Sequence, residues 1–156
     1  MSTPMEIAKK YEAALFAGRM EEVAGYFTDD AKYWVAGPPS IGGTWNGPAA
    51  IVRAFENREP GLGAADWGYE DVWRDWRSCG DDMVTVEIRE RSWLKSAPDD
   101  VMDQRTCVVI RFRGEKICDL RDYTDANVYV EFLKRHPDLP KFKTAVADTR
   151  SQITDR

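Results

Sequence analysis

Two carboxylates in this chain fall where strand alternation places them among apolar neighbours. Asp122 lies in the stretch 116–124, with Cys118 and Leu120 on its side of the alternation. A carboxylate on such a face loses hydration, which disfavours its ionised form and raises its pKa toward the range of a useful general acid or base. Glu90 follows Val84, Val86 and Ile88 at the same parity, so it too points inward, where an acid needs a partner. The two could share one proton, because like charges held close split their pKa values. The alternative is an ion pair for each: Asp122 with Arg105 or Arg121, and Glu90 with Arg89, Arg91 or Arg105. Tyr33 could donate a hydrogen bond to a substrate oxygen or developing oxyanion, or pack beside Trp34. Tyr11, one helical turn before Leu15, could reach the same space.

The composition limits what other chemistry is open. Among 156 residues there are six Trp, six Tyr and six Phe but one His. A histidine-rich metal site is excluded, and proton transfer is left to carboxylates, Tyr, Lys or Cys. His136 precedes Pro137 at a helix end beside Lys134 and Arg135, a structural position where cations suit the helix dipole. Cys79, Cys107 and Cys118 are widely spaced with no CxxC, and read as reduced small hydrophobes. The glycine-rich stretches 37–43 and 61–64 lack the Lys-Ser/Thr ending of a phosphate loop, so no cofactor is expected. The net charge of −5 argues against nucleic acid as a partner, and 43% hydrophobic residues argue for a packed core. No run approaches the roughly 20 apolar residues of a membrane span. The N-terminal ten residues lack a signal peptide's apolar core, so a cytoplasmic location is expected.

The elements that must position these groups can be read in order. Thr3 and Pro4 start a helix with Ile7, Tyr11 and Leu15 on one stripe, and Gly18 stops it. A short helix over 20–26 follows, then a turn at Asp29-Asp30 and a strand over 31–36. Residues 37–47 read as a loop, and 48–58 as a helix with Ile51, Val52 and Phe55 inward. From Trp67 the period becomes two, giving strands around 67–73, 84–89 and 108–113, a turn at Gly114-Glu115, and a return strand over 116–124. A last helix covers 126–135, and a polar tail fills 143–156, leaving a domain over 1–142. Helices followed by a long sheet make an α+β pattern, and helices lying on a bent sheet enclose a conical cavity.

The register of the final hairpin stays open. A tight Gly114-Glu115 turn sets Cys107 opposite Asp122 and brings Arg105 and Asp103 to its face. A three-residue turn with a bulge sets Thr106 there instead, with Gln104 on the same face. The alternation of Val108, Ile110 and Phe112 against Arg111 and Arg113 favours the second. Among the tryptophans, Trp67, Tyr69 and Trp73 share one strand face and Trp76 takes the other. Trp34, Trp45 and Trp93 lie on other elements. Such an excess of rings predicts a pocket for an aromatic or polycyclic ligand.

The stretches YFTDDAKYWVAGPPS and FRGEKICDLRDYTDANVYVEFL resemble segments of the nuclear transport factor 2-like superfamily, in its SnoaL-like and limonene-epoxide-hydrolase-like branch. The resemblance covers about residues 4–135. It implies a cone-shaped barrel of a strongly curved, mixed, mostly antiparallel sheet wrapped around N-terminal helices, with a central pocket. It does not imply one reaction, since hydrolases, isomerases, dehydratases, cyclases, lyases and binders share the fold. The epoxide-hydrolase pocket has a Tyr and Asn two apart on the first strand, an Arg and Asp two apart on a middle strand, and a final Asp. These fall here on Tyr33 and Val35, on Ile88 and Glu90, and on Asp122, so the Asn and the Arg are missing.

Together these readings predict a cofactor-independent acid/base enzyme of lyase, dehydratase or isomerase type, with Asp122, Glu90 and Tyr33 catalytic. Tyr11, Leu15, Trp34, Phe55, Trp67, Tyr69, Gln104, Thr106 and Leu120 would contact a small hydrophobic, aromatic substrate. A homodimer is expected through an Arg-rich outer face carrying Trp76. The alternatives are an epoxide hydrolase and a non-catalytic ligand-binding or dimerisation module.

Overall fold

Thr3 closes the start of the first helix, α1 (Pro4–Phe16), by a reciprocal pair of bonds. Its hydroxyl accepts from the Glu6 amide, and the Glu6 carboxylate accepts from the Thr3 amide. Such a box satisfies two of the amides a helix start leaves orphaned, and Pro4 has no amide to lose. The structure, a computed structural model, describes residues 1–38, 41–58 and 67–137. Positions 7, 8, 11 and 14 of α1 form a buried stripe of Ile, Ala, Tyr and Ala. The chain turns at Gly18, with φ at 69°, into α2 (Met20–Gly25), which buries Val23. Later, α3 (Pro48–Arg58) buries Ile51, Ala54 and Phe55.

Six strands form one sheet: β1 (Phe27–Val35), β2 (Gly43–Asn46), β3 (Trp67–Ser78), β4 (Met83–Leu94), β5 (Ala97–Arg113) and β6 (Lys116–Thr124). Their order is β2-β1-β6-β5-β4-β3, with β1 and β6 parallel and every other pair antiparallel. This is the expected α+β architecture. The sheet is not closed, since β2 and β3 are free edges. The three N-terminal helices pack on one face of it around Phe27, Trp45, Ile110, Ile117 and Leu120. Burying each such side chain stabilises the fold by about 1.5–3 kcal/mol. A smaller cluster of Leu94, Met102 and Phe132 docks α4 (Ala126–Arg135) on β5. His136 ends α4 and bonds Asp100 at 2.6 Å, in keeping with a structural role. No described helix is long and apolar enough to cross a membrane.

β3, β4 and β5 run well past the stretches read for them in the sequence, and two further elements depart from that reading. The first strand begins at Phe27 and runs through Asp29-Asp30, because Phe27 is buried and paired with Ile117 while Asp30 reaches Arg113 on the exposed side. The expected loop over 37–47 contains β2, whose Trp45 pairs with Tyr33 and is buried. Gly42 permits that return, since a Cβ there would lie 2.5 Å from the Gly37 carbonyl oxygen and 2.8 Å from that of Val35. The tail 143–156, and with it the boundary at 142, lies outside the described residues.

Two bulges decide which side chains face the helices. In β3 the pairing passes from Asp71–Glu90 to Trp73–Arg89, so Val72 is an extra residue. An extra residue exchanges the faces beyond it. Trp76 therefore turns inward and Trp73 outward to 39% exposure, the reverse of the sequence reading. In β6 the tight turn pairs Arg113 with Lys116 and Phe112 with Ile117, and then Arg111 with Asp119, leaving Cys118 extra. Cys118 leaves the inner face, its thiol donating to the Arg111 carbonyl. The residue opposite Asp122 is Val108, and neither Cys107 nor Thr106. Thr106 and Gln104 still face inward, while Asp103 binds Arg89 on the outside.

Candidate active site

Between the helices and the sheet lies a cavity of about 190 Å³. Tyr11, Leu15 and Phe55 line it from the helices, and Tyr33, Leu120 and Val108 from the sheet. The rings interlock: Tyr33 stands 4.9 Å from Phe55 and 5.5 Å from Trp45, centroid to centroid. Such tilted contacts fix the rings in place at about 0.5–1.5 kcal/mol per pair beyond their burial.

The sheet register lays out the polar groups in rows. One row runs Val35, Asp122, Val108, Val86, Trp76; the next runs Thr124, Thr106, Ile88, Arg74; a third holds Gln104 and Glu90. Asp122 accepts a hydrogen bond at Oδ2 from the Tyr33 hydroxyl, at 3.3 Å. Its remaining row-mates are apolar. Beyond it, Thr124, Thr106 and Gln104 form a hydrogen-bonded step that ends at Glu90.

Glu90 belongs to a second cluster. Tyr69 donates to Glu90 Oε2 at 3.0 Å, and Arg74 donates to the Tyr69 hydroxyl at 3.0 Å. Arg74 also binds Glu12 of α1 and Asp71 of its own strand, and its side chain is 13% exposed. Burial pushes the Glu90 carboxyl above the ordinary carboxylate range, against the opposing pull of Tyr69 and Arg74. Burial does the same to Glu12, with Arg74 pulling the other way. Burial and the Glu90 charge push the Tyr69 hydroxyl up. Three carboxylates around one guanidinium leave an acidic excess in a poorly hydrated place, and binding a proton relieves it.

The idea that Asp122 and Glu90 share a proton does not survive the register. Their row-mates on β5, Val108 and Gln104, are four residues apart, about 13 Å at the usual strand rise, and two strand spacings add almost 10 Å across. The charges that act on Glu90 are Arg74 and Asp71. The carboxylates occupy two ends of the cavity.

Of the residues singled out in the sequence, Asp122, Glu90, Tyr33, Tyr11, Leu15, Phe55, Tyr69, Gln104, Thr106 and Leu120 line this one cavity. Trp34 does not: Tyr33 and Val35 take the inner side of β1, and Trp34 packs on Tyr123 on the other, 5.1 Å away. Trp67 opens β3 opposite Leu94, and its side chain lies outside the described residues. The tryptophan excess is largely structural. Trp45 fills the core, Trp93 lies against Gly68, and of the described tryptophan side chains Trp76 alone lines the cavity. The rings around the cavity are mostly Tyr and Phe. Sequence reasoning missed Glu12, Arg74 and Thr124. Arg74 stands directly opposite Ile88, so a guanidinium enters from the neighbouring strand beside the position where the resemblance lacked an Arg. Thr124 carried a readable signal, since it continues the inward parity of Leu120 and Asp122.

A curved open sheet under three helices, with a cavity between them that holds a carboxylate at either end, is the architecture of the nuclear transport factor 2-like class. The chain belongs to the SnoaL-like domain family, whose profile matches residues 8–120. No curated protein matches it in sequence. Among solved structures it is similar to an NTF2-like protein from Burkholderia xenovorans LB400, at 19% identity and TM-score 0.68, over 84% of this chain and 97% of the other. A candidate polyketide cyclase from Pseudomonas putida KT2440 superimposes at 16% identity and TM-score 0.65, over 84% and 98%. An LEH-like epoxide hydrolase from M. tuberculosis does so at 16% identity and TM-score 0.58, over 84% and 89%. At these identities the likeness is one of fold.

Proposed function

We propose that this protein is an acid/base enzyme that moves a proton on a small hydrophobic, aromatic substrate, in a lyase, dehydratase or isomerase step, using its own side chains. The observation that carries this reading is the pairing of two unlike carboxyls in one ring-lined cavity: Asp122, oriented by Tyr33, and Glu90, favoured in its neutral form by burial. Unlike environments assign unlike roles. Asp122 takes a proton from the substrate, and Tyr33 holds its carboxylate in position. Glu90 is the acid at the far end, where it returns a proton to the substrate. Poor hydration strengthens each of these interactions.

The test is proton exchange. Aromatic ketones incubated in D2O with the protein should gain deuterium at the carbon beside the carbonyl, followed by NMR, and Asp122→Asn should stop it. Binding without exchange across such a series would sink the enzymatic reading in favour of a binder.

Epoxide hydrolysis is the second reading, and Arg74 is the observation in its favour. The guanidinium, absent at position 88, reaches the cavity from position 74. Incorporation of oxygen-18 from labelled water into a diol product would select this reading; a lyase or isomerase need not show it. A homodimer also remains part of the proposal. Its outer-face argument loses Trp76 and rests instead on Trp34 and Tyr123, and sedimentation of the purified protein tests it.

A further inference from the structure

In the step between the two carboxyls, the Thr124 hydroxyl accepts from two neighbours and has no acceptor for its own proton among the described residues. Gln104 Nε2 points one way to Thr124 Oγ1, at 2.6 Å, and another toward the Asp125 carbonyl oxygen, at 3.5 Å. A carbonyl oxygen only accepts, so the nitrogen of this amide faces Thr124 and both its protons are engaged. Thr106 donates its hydroxyl proton to the same Thr124 oxygen, at 3.1 Å. With Thr106 as the donor of that pair, Thr124 Oγ1 receives two hydrogen bonds, which occupy both its lone pairs, and its own proton is directed away from them. Thr124 lines the cavity and is the next inward residue after Asp122 on β6.

We propose that Thr124 is a preset donor to a carbonyl oxygen of the substrate, beside the carbon from which Asp122 takes a proton. This rests on the acid/base reading above and names the substrate's chemical class more closely. Two inward residues in succession on a strand are about 6.6 Å apart, a span that suits a carbonyl oxygen and the C–H next to it. Glu90, one row on from Thr124 and two strands across, is too far away to serve that oxygen and is left to the other end of the ligand. The Thr124 hydroxyl is locked by Gln104 and Thr106 before any ligand arrives, so no rotor freedom is lost on binding. A cavity of about 150 Å³ accommodates benzene, so the 190 Å³ here suits one ring with a small fused or attached ketone.

The experiment compares two probes of one skeleton, 1-indanone and indane, which differ by the carbonyl oxygen. Dissociation constants are read from quenching of tryptophan fluorescence, Trp76 lining the cavity. The wild type should prefer 1-indanone by roughly tenfold, the worth of one good hydrogen bond. Thr124→Val should reduce that ratio to about one without changing the affinity for indane, and Thr124→Ser should keep it. Thr124→Ala, which makes no new packing demand, should behave as the valine variant does. Equal affinities for the two probes in the wild type, or a preference that survives in both Thr124→Val and Thr124→Ala, would overturn the role of Thr124 while leaving the aromatic cavity standing. Failure of the wild type to bind either probe would overturn the aromatic reading and this inference with it.

Discussion

The Tyr33 hydroxyl donates to Asp122 Oδ2 across 3.3 Å, joining two residues on the parallel strands β1 and β6. Tyr33 is itself held between Trp45 and Phe55, so the carboxylate is aimed by a side chain that cannot turn away. Asp122→Asn keeps the shape and removes the carboxylate proposed as the base. Turnover should fall by about 10²–10⁴, with the circular dichroism spectrum and melting curve nearly unchanged. Tyr33→Phe should cost less, on the order of tenfold, because it loosens the base without deleting it. Activity of Asp122→Asn within a few fold of wild type would take Asp122 out of the mechanism.

Glu90 sets a pH dependence of stability. Its carboxyl is held above the ordinary 4.5 because burial disfavours the charged form. The contribution of such a group is fully present below the unfolded value and is lost as the pH rises through the folded one. Glu12 acts in the same sense. Urea midpoints should therefore decline above pH 4.5, and Glu90→Gln, always neutral, should flatten part of that decline. A variant curve parallel to the wild type would show that Glu90 is not buried as described.

Arg74 neutralises what surrounds it. Glu12 and Asp71 both bind it, and it caps Tyr69. Arg74→Met removes the cation that Glu12 and Asp71 bind and leaves the buried side of Glu12 and Glu90 without it, at an expected cost of about 3 kcal/mol in urea unfolding. Adding Glu12→Gln should recover part of the loss, and a strictly additive double variant would deny the coupling.

Gly42 and Gly25 make a matched pair. An alanine at 42 meets backbone oxygens of Gly37 and Val35 within 2.8 Å, whereas nothing lies within 4 Å of an alanine at 25. Gly42→Ala should lower the melting temperature and disturb β2, while Gly25→Ala should leave it nearly unchanged. Equal melting temperatures would mean that Gly37 and Val35 yield to the added methyl more easily than the distances imply.

How far the sequence could be read depends on what each feature needs. The helix start at Thr3 and Pro4, the helical stripe through Tyr11 and the strand parity of Val84, Val86, Ile88 and Glu90 are local patterns, and all were legible. The placement of Asp122 was legible for a partly wrong reason: Cys118 is the bulge residue and does not share its face, yet Leu120 does. Trp76, Trp73 and Arg74 could not be placed, because alternation counted from Trp67 runs straight through Val72, where the structure inserts an extra residue.

By itself, then, the chain determined the helices, the long strands after Trp67 and the inward parity of Val84, Val86, Ile88 and Glu90, and its single His left carboxylates as the candidate proton carriers. These follow from local sterics, hydrophobic periodicity and composition, which act over a few residues. Only the tertiary structure decided that Asp122 and Glu90 stand apart, that Arg74 enters the cavity and that Gln104 and Thr106 both bond the Thr124 hydroxyl. A bulge forms where the neighbouring strand and the packed helices make one extra residue cheaper than an unbroken ladder, and that balance is struck between segments far apart in the chain.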